Sequence, residues 1–253
     1  MVLLVAPIAN QLGSIFAFES ADENRDFNPF PVFDPTYFEG FPEEFEAYFN
    51  DAFSFRAPLL DFHQYMKFEW FKISPYPDKV IIGNDGWFFN ARKEAEILDG
   101  KLNFSEKQLA QFETEWDNRI RILDSLDIKV LWYILPMKHY VYLDKMPFTV
   151  RVSTPKRVKN LQERLNTSHP NLVHDPTELL INTKDSFDTY LKNDNHWNYR
   201  AAHSTSLDIL DNLNGWFPKH DFSLPNNYQW EQNIFVGGCH ADVIGKPDVE
   251  ELE

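Results

Sequence analysis

Ile128–His139 reads IKVLWYILPMKH, and the assignment of this run decides the fold. An apolar stretch of that kind is what a strand covered on both faces of a mostly parallel sheet requires, since a strand with one wet face alternates instead. Pro136 ends the run, so Met137, Lys138 and His139 fall just past its carboxyl end. In open α/β sheets that edge is where ligands bind.

Working outward, Ser105 to Leu126 predicts the clearest helix. Ser105 and Gln108 form a capping-box pattern, and Leu109, Phe112, Trp116, Ile120 and Leu123 trace one face. Before it, KVIIGNDGWFF places two β-rich runs around Asn84-Asp85-Gly86, a hairpin signal that rests on the positive φ glycine tolerates. FPEEFEAYFNDAF and the run from Ala57 to Phe71 each carry aromatic and aliphatic residues at helical spacing. Downstream, a helix over 155–165, a short strand over 171–174 and a helix after His196 continue an alternation that implies parallel strands and crossover helices. Neither Gly-rich nucleotide-binding pattern occurs, so no nucleotide and no cofactor is expected.

Composition narrows the function classes. The 253 residues are 43% hydrophobic and 16% aromatic, enough for a sizeable core, and carry a formal charge of -15 from 39 acidic and 24 basic residues. That balance argues against a nucleic-acid partner, whose phosphates need clustered Lys and Arg. A single cysteine, Cys239, excludes an internal disulfide and disfavours a structural zinc site. Residues 1–18 are uncharged and largely apolar, too short and interrupted for a spanning helix, and without a basic flank. They read as the remnant of a membrane anchor or signal segment, or as a buried first element. Residues 19–253 then form a single domain, opening with an extended, Pro- and Phe-rich arm over 19–42.

The chemistry concentrates in Tyr190–His203, YLKNDNHWNYRAAH. Residues two apart in extended backbone share a side, so Asp194 and His196 could form a carboxylate–imidazole pair, the half of a triad that draws a proton from a hydroxyl nucleophile. Trp197 could wall the site or stack on a sugar. The plainer alternative is a helix cap, because Asn193, Asp194 and Asn195 all make good caps. A metal set of Asp194, His196, His203 and His240 has no recognised ligand spacing, so no metal is expected.

Five motifs in order, ENRDFNPFP, YFNDAFSFR, VIIGNDGWFF, ILPMKHYVYLDKMP and YLKNDNHWNYRAAH, resemble the AlgX/AlgJ-type alginate O-acetyltransferase branch of the SGNH hydrolase-like superfamily, to which the DHHW bacterial proteins are related. The resemblance implies an SGNH hydrolase-like three-layer α/β sandwich with a mostly parallel sheet. It also implies acetyl transfer to hydroxyls of an exported, alginate-like polysaccharide on the outer side of a bacterial inner membrane, with an acetyl-donor membrane protein and export components as partners. Asp194 and His196 carry over as triad members. Lys138 and His139, from the segment after the central strand, are expected with Trp197 at the substrate.

The family's serine follows the D-x-H-W motif in a Gly-Asp-Ser turn, and no such tripeptide occurs here. Ser204 and Ser206 fall in a predicted helix and Ser223 in a Pro- and Asn-rich loop, so none is assigned as nucleophile. GGCHADVIGKPD resembles the segment before the missing strand, so the sheet is expected to be incomplete at the C-terminus, with the serine beyond Glu253. Two classes follow: an O-acetyltransferase or acetylesterase, and a non-catalytic polysaccharide-binding or assembly protein using Trp197, Trp87 and Tyr140 as its aromatic surface. The acidic charge is awkward for a polyanionic glycan, since the chain offers only a modest basic run at Lys156–Lys159.

Overall fold

The computed structural model describes residues 26, 28–53, 55–153, 157–225, 227, 229–231, 233–245 and 250–252. The apolar segment 1–18, the start of the arm and Lys156 of the basic run lie outside them. None of the described helices is long and apolar enough to cross a membrane. The chain divides into two compact units with the boundary between Pro75 and Tyr76, whereas the sequence reading carries one domain from 19 to 253.

The first unit is helical. Helix α1 (Phe41–Ala52) starts with Pro42 and the acidic pair Glu43 and Glu44 in its first turn, which suits the positive end of the helix dipole. Four-residue spacing lays Phe41, Phe45 and Phe49 along one face, their rings stacked at 6.0 and 6.3 Å. Helix α2 (Arg56–Tyr65) runs on into a π-helical turn, Met66–Trp70. The arm is pinned where Asn28 donates its backbone N–H and side-chain amide to Asp51 Oδ2, at 2.9 and 2.7 Å.

The second unit opens with the expected hairpin. Strands β1 (Val80–Ile82) and β2 (Phe88–Asn90) pair antiparallel, and the turn between them puts Asp85 at φ 55° and Gly86 at φ 79°. Helix α3 (Lys93–Leu98) follows, then α4 (Glu106–Ser125) with the full capping box at Ser105 and Gln108. Strand β3 (Trp132–Tyr133) is parallel to β4 (Val173–His174), with helix α6 (Arg157–Ser168) crossing between them after the short α5 (Lys138–Val141). This is the crossover unit that alternation implied. Helix α7 (Thr177–Lys184), α8 (Tyr199–Trp216), β5 (Ile234–Val236), α9 (Cys239–Val243) and β6 (Glu250–Leu252) complete it, β5 and β6 pairing antiparallel.

The strand expected over 128–135 is shorter and less covered than its sequence suggests. Its ladder spans two residues, Trp132 is half-buried and Leu135 is 43% exposed. Val130, Trp132 and Ile134 lie against a core of Leu109, Trp116, Leu161, Leu165, Leu172 and Val173 from α4, α6 and β4, while Tyr133 on the other face stacks on His174 and bonds Asp208 and Asn212 of α8. A second core joins Trp87 and Phe89 of the hairpin to Tyr140, Val141 and Tyr142 of the α5 region, Leu180 of α7 and Ala201 of α8. The loop from Tyr190 to Trp197 rests on this second core.

Candidate active site

The Tyr190–Trp197 segment is a closed loop. Tyr190 and Trp197 form an antiparallel bridge, and Leu191 N–H bonds His196 O while Asn198 N–H bonds Thr189 O. Beyond it, Asn198 caps α8, its side-chain oxygen accepting from the N–H groups of Arg200 and Ala201 at 3.1 Å. The capping role that the sequence left open among Asn193, Asp194 and Asn195 therefore belongs to Asn198. Asp194 is released for another task.

That task is to hold His196. Asp194 Oδ1 accepts from His196 N at 2.9 Å and from the ring Nδ1 at 2.5 Å, while Oδ2 accepts from Cys239 N at 2.7 Å. Burial pushes the Asp194 carboxyl up, but the backbone N–H groups of Cys239 and His196 and the His196 ring outweigh it and hold it well below the usual carboxylate range. A carboxylate can only accept, so the proton shared with Asp194 belongs on Nδ1, and whenever the ring carries a single proton the lone pair is on Nε2. The Asp194 side chain is 9% exposed and that of His196 80%. A buried carboxylate thus fixes an imidazole whose far nitrogen faces solvent, the arrangement a general base needs.

Beneath the pair lies Lys138, fully buried. Its ammonium donates to Phe88 O at 2.6 Å, Lys192 O at 2.8 Å and Asp194 O at 2.9 Å, and it sits 5.0 and 5.2 Å from the ring centroids of Trp87 and Phe89. Three donors meet three carbonyls, which is how a buried ammonium is tolerated. The loop carrying Asp194 is thereby tied to β2, a link reinforced by Phe88 N–H bonding Lys192 O at 2.9 Å. His139 is equally buried and directed inward, with Nε2 2.8 Å from Asn90 O and its pKa pushed down to about 4 by burial. Both were expected at the substrate; the core above them is closed, and neither side chain reaches the surface. Trp197 is half-buried against the same core, and Trp87 and Tyr140 lie inside it at 2% and 4% exposure, so the aromatic surface envisaged from these three is mostly interior.

Residues that the sequence reading missed close the other side. Gly238 holds φ +120°, and a Cβ there would lie 2.5 Å from Asn193 O. That close approach lets α9 begin against the loop, with His240 N–H and Ala241 N–H directed at Asn193 O at 3.1 and 3.3 Å. The doubled glycine before Cys239 was the available signal. Cys239 is exposed, but its thiol is pushed up, first by partial burial and also by the Asp194 carboxylate, which is the opposite of an activated nucleophile. His240 is buried with its pKa pushed down to about 4, chiefly by desolvation and then by Lys138. Among the described residues no group of three or more His, Cys, Asp and Glu could hold a metal ion. Ser204 and Ser206 lie within α8, where Ser206 Oγ donates to Ala202 O.

A family described as SGNH hydrolase-like domain, acetyltransferase AlgX, matches residues 80–231, well over half of the chain. No curated protein matches significantly. Two solved chains do; one is the O-acetyltransferase domain of Pseudomonas putida AlgJ, at 16% identity and a TM-score of 0.46, over 69% of this chain and 64% of that one. The present chain therefore spans just under two thirds of that structure.

Proposed function

The chain belongs to the family of SGNH hydrolase-like domains of the acetyltransferase AlgX, and from that premise we propose that it serves O-acetyl transfer to the hydroxyls of an exported, alginate-like bacterial polysaccharide. The observation that carries the reading is the buried Asp194 holding Nδ1 of the exposed His196. His196 Nε2 is the base: it takes the proton of a serine hydroxyl as that oxygen attacks an acetyl carbonyl, and returns it to the leaving group as the acetyl-enzyme forms. The sugar hydroxyl then gives its proton to Nε2 while attacking the acetyl-serine, and the proton returns to the serine as the ester forms on the sugar. Asp194 stabilises the imidazolium in both halves. Lys138 acts from below as a positioning group.

No serine among the described residues is assigned to this step. The nucleophile in this reading is a serine hydroxyl brought within reach of His196 Nε2. In the same reading the β3–β4 pair is the centre of a three-layer sandwich. The site works outside the cytoplasm, held near the inner membrane, with an acetyl-donor membrane protein and export components as partners. A non-catalytic, glycan-binding role is the second reading, favoured by the aromatic rings of Phe187 and Trp230 that line a cavity beside the helix cap.

The test is mass spectrometry of an oligosaccharide incubated with an activated acetyl ester and the protein in its native, full gene product. Acetylated sugar that vanishes with His196→Ala and falls severely with Asp194→Asn supports the assignment. Acetylation that survives both substitutions sinks it.

A further inference from the structure

A cavity of about 730 Å³ opens on the first two turns of α8, lined by Asn198, Tyr199, Arg200 and His203, by Phe187 before the loop and by Trp230 after the helix. It begins at the helix cap, two residues past His196. The Arg200 guanidinium carbon lies 4.1 Å from the ring centroid of Phe187 and 4.1 Å from that of Trp230. Two aromatic rings therefore flank the cation, and His203 meets the Trp230 ring edge-on at 5.2 Å, steadying it. Tyr199, at 72% exposure, stands at the rim.

This arrangement has a specific chemical meaning. A guanidinium with covered faces presents only its edge, a planar fork of N–H donors that matches a carboxylate in two parallel bonds. Stacking fixes that fork in advance. No carboxylate pairs with Arg200 among the described residues, unlike Arg164, which meets Glu113 at 2.9 Å. Asp188 and Glu231 also line the cavity, so bulk positive potential does not attract the ligand; the fork alone selects it. The volume is that of a site for a ring-bearing molecule rather than a lone anion, and the side-chain amides of Gln229 and Asn233 on its wall suit hydroxyls.

We propose that this cavity is a sugar subsite in which the edge of Arg200 binds the carboxylate of one acidic sugar unit, placing the glycan beside His196. It relies on the acyl-transfer reading only in calling that glycan the acceptor. It also resolves the difficulty raised by the charge of -15: one preorganised fork recognises one carboxylate without a basic surface.

The test is equilibrium binding, followed by tryptophan fluorescence, of a short oligouronate and of the same oligosaccharide with its carboxylates reduced to alcohols. The wild-type protein is expected to bind the oligouronate about tenfold or more tighter than the reduced sugar, as one charge-assisted fork predicts. Arg200→Gln removes the difference, and Arg200→Lys, which keeps the charge but loses the fork, keeps only a small part of it. Equal binding of the two sugars, binding of neither, or a preference that survives Arg200→Gln overturns the proposal. The wild-type comparison needs no variant to fold, and neither sugar has to be acetylated. Loss of acetyl transfer with selectivity intact would count against the dyad reading alone.

Discussion

Replacing Lys138 with Met probes the part of the site that sequence reasoning placed wrongly. Methionine keeps the length and apolar stem but loses three donors. Lys192 O retains the Phe88 N–H, so Asp194 O is the acceptor most exposed to loss. A buried acceptor left without a donor costs about 1–3 kcal/mol. Relief from burying the ammonium offsets part of the loss of its other bonds. The balance is a destabilisation of about 2 kcal/mol, equal to a fall in Tm of about 4–8 °C for a unit of this size. Thermal unfolding followed by circular dichroism reads the stability, and proton NMR reads the His196 Nδ1–H shared with Asp194, which should weaken or vanish as the loop comes free of β2. A Tm within about 2 °C of wild type, with that resonance unmoved, would refute the view that Lys138 positions the loop.

Other expectations follow from the same geometry. His139 and His240 have pKa values pushed from 6.5 to about 4, so the unfolded chain binds protons that the folded chain refuses. Their contribution is whole above about pH 6.5 and is lost as pH falls toward 4, up to about 3 kcal/mol each; urea midpoints across that range should drop, and His139→Gln should roughly halve the slope. Asp194 is displaced downward, so its contribution is present above the ordinary Asp range and lost as pH falls below it; Asp194→Asn should flatten that acid limb of the stability curve. Gly238→Ala puts a Cβ 2.5 Å from Asn193 O at φ +120° and should cost about 1–3 kcal/mol, read as a lower denaturation midpoint. Asn198→Ala removes the α8 cap and should cost about 1 kcal/mol; an unchanged Tm would mean the cap is replaced by water.

The Asp194–His196 pair was legible because an i, i+2 relation in an extended loop is short-range geometry, and the capping box of α4 because all its partners lie within four residues. The misplacement of Lys138 and His139 has a different origin. Position after a strand end suggests exposure, but what covers Lys138 is Trp87 and Phe89, about fifty residues earlier, and chain proximity carries no trace of that packing. The cap is instructive too: three good candidates preceded Asn198, and only the bridge between Tyr190 and Trp197 sets where the loop ends and the helix starts. Gly238 was visible as half of a glycine pair, but its purpose depends on a carbonyl forty-five residues away. The apolar run at 128–135 overstated its strand because hydrophobicity reports packing on α4 and α6 as readily as pairing in a sheet.

The central claim is that Asp194 fixes His196 with its Nε2 lone pair turned to solvent. Nitrogen-15 NMR of ring-labelled histidine, assigned with His196→Gln and repeated in Asp194→Asn, reads it directly. At a pH high enough to leave one proton on the ring, the account predicts that proton on Nδ1 of His196, hydrogen-bonded there, with the bond lost in Asp194→Asn. A ring protonated on Nε2, or one indifferent to Asp194, would contradict it.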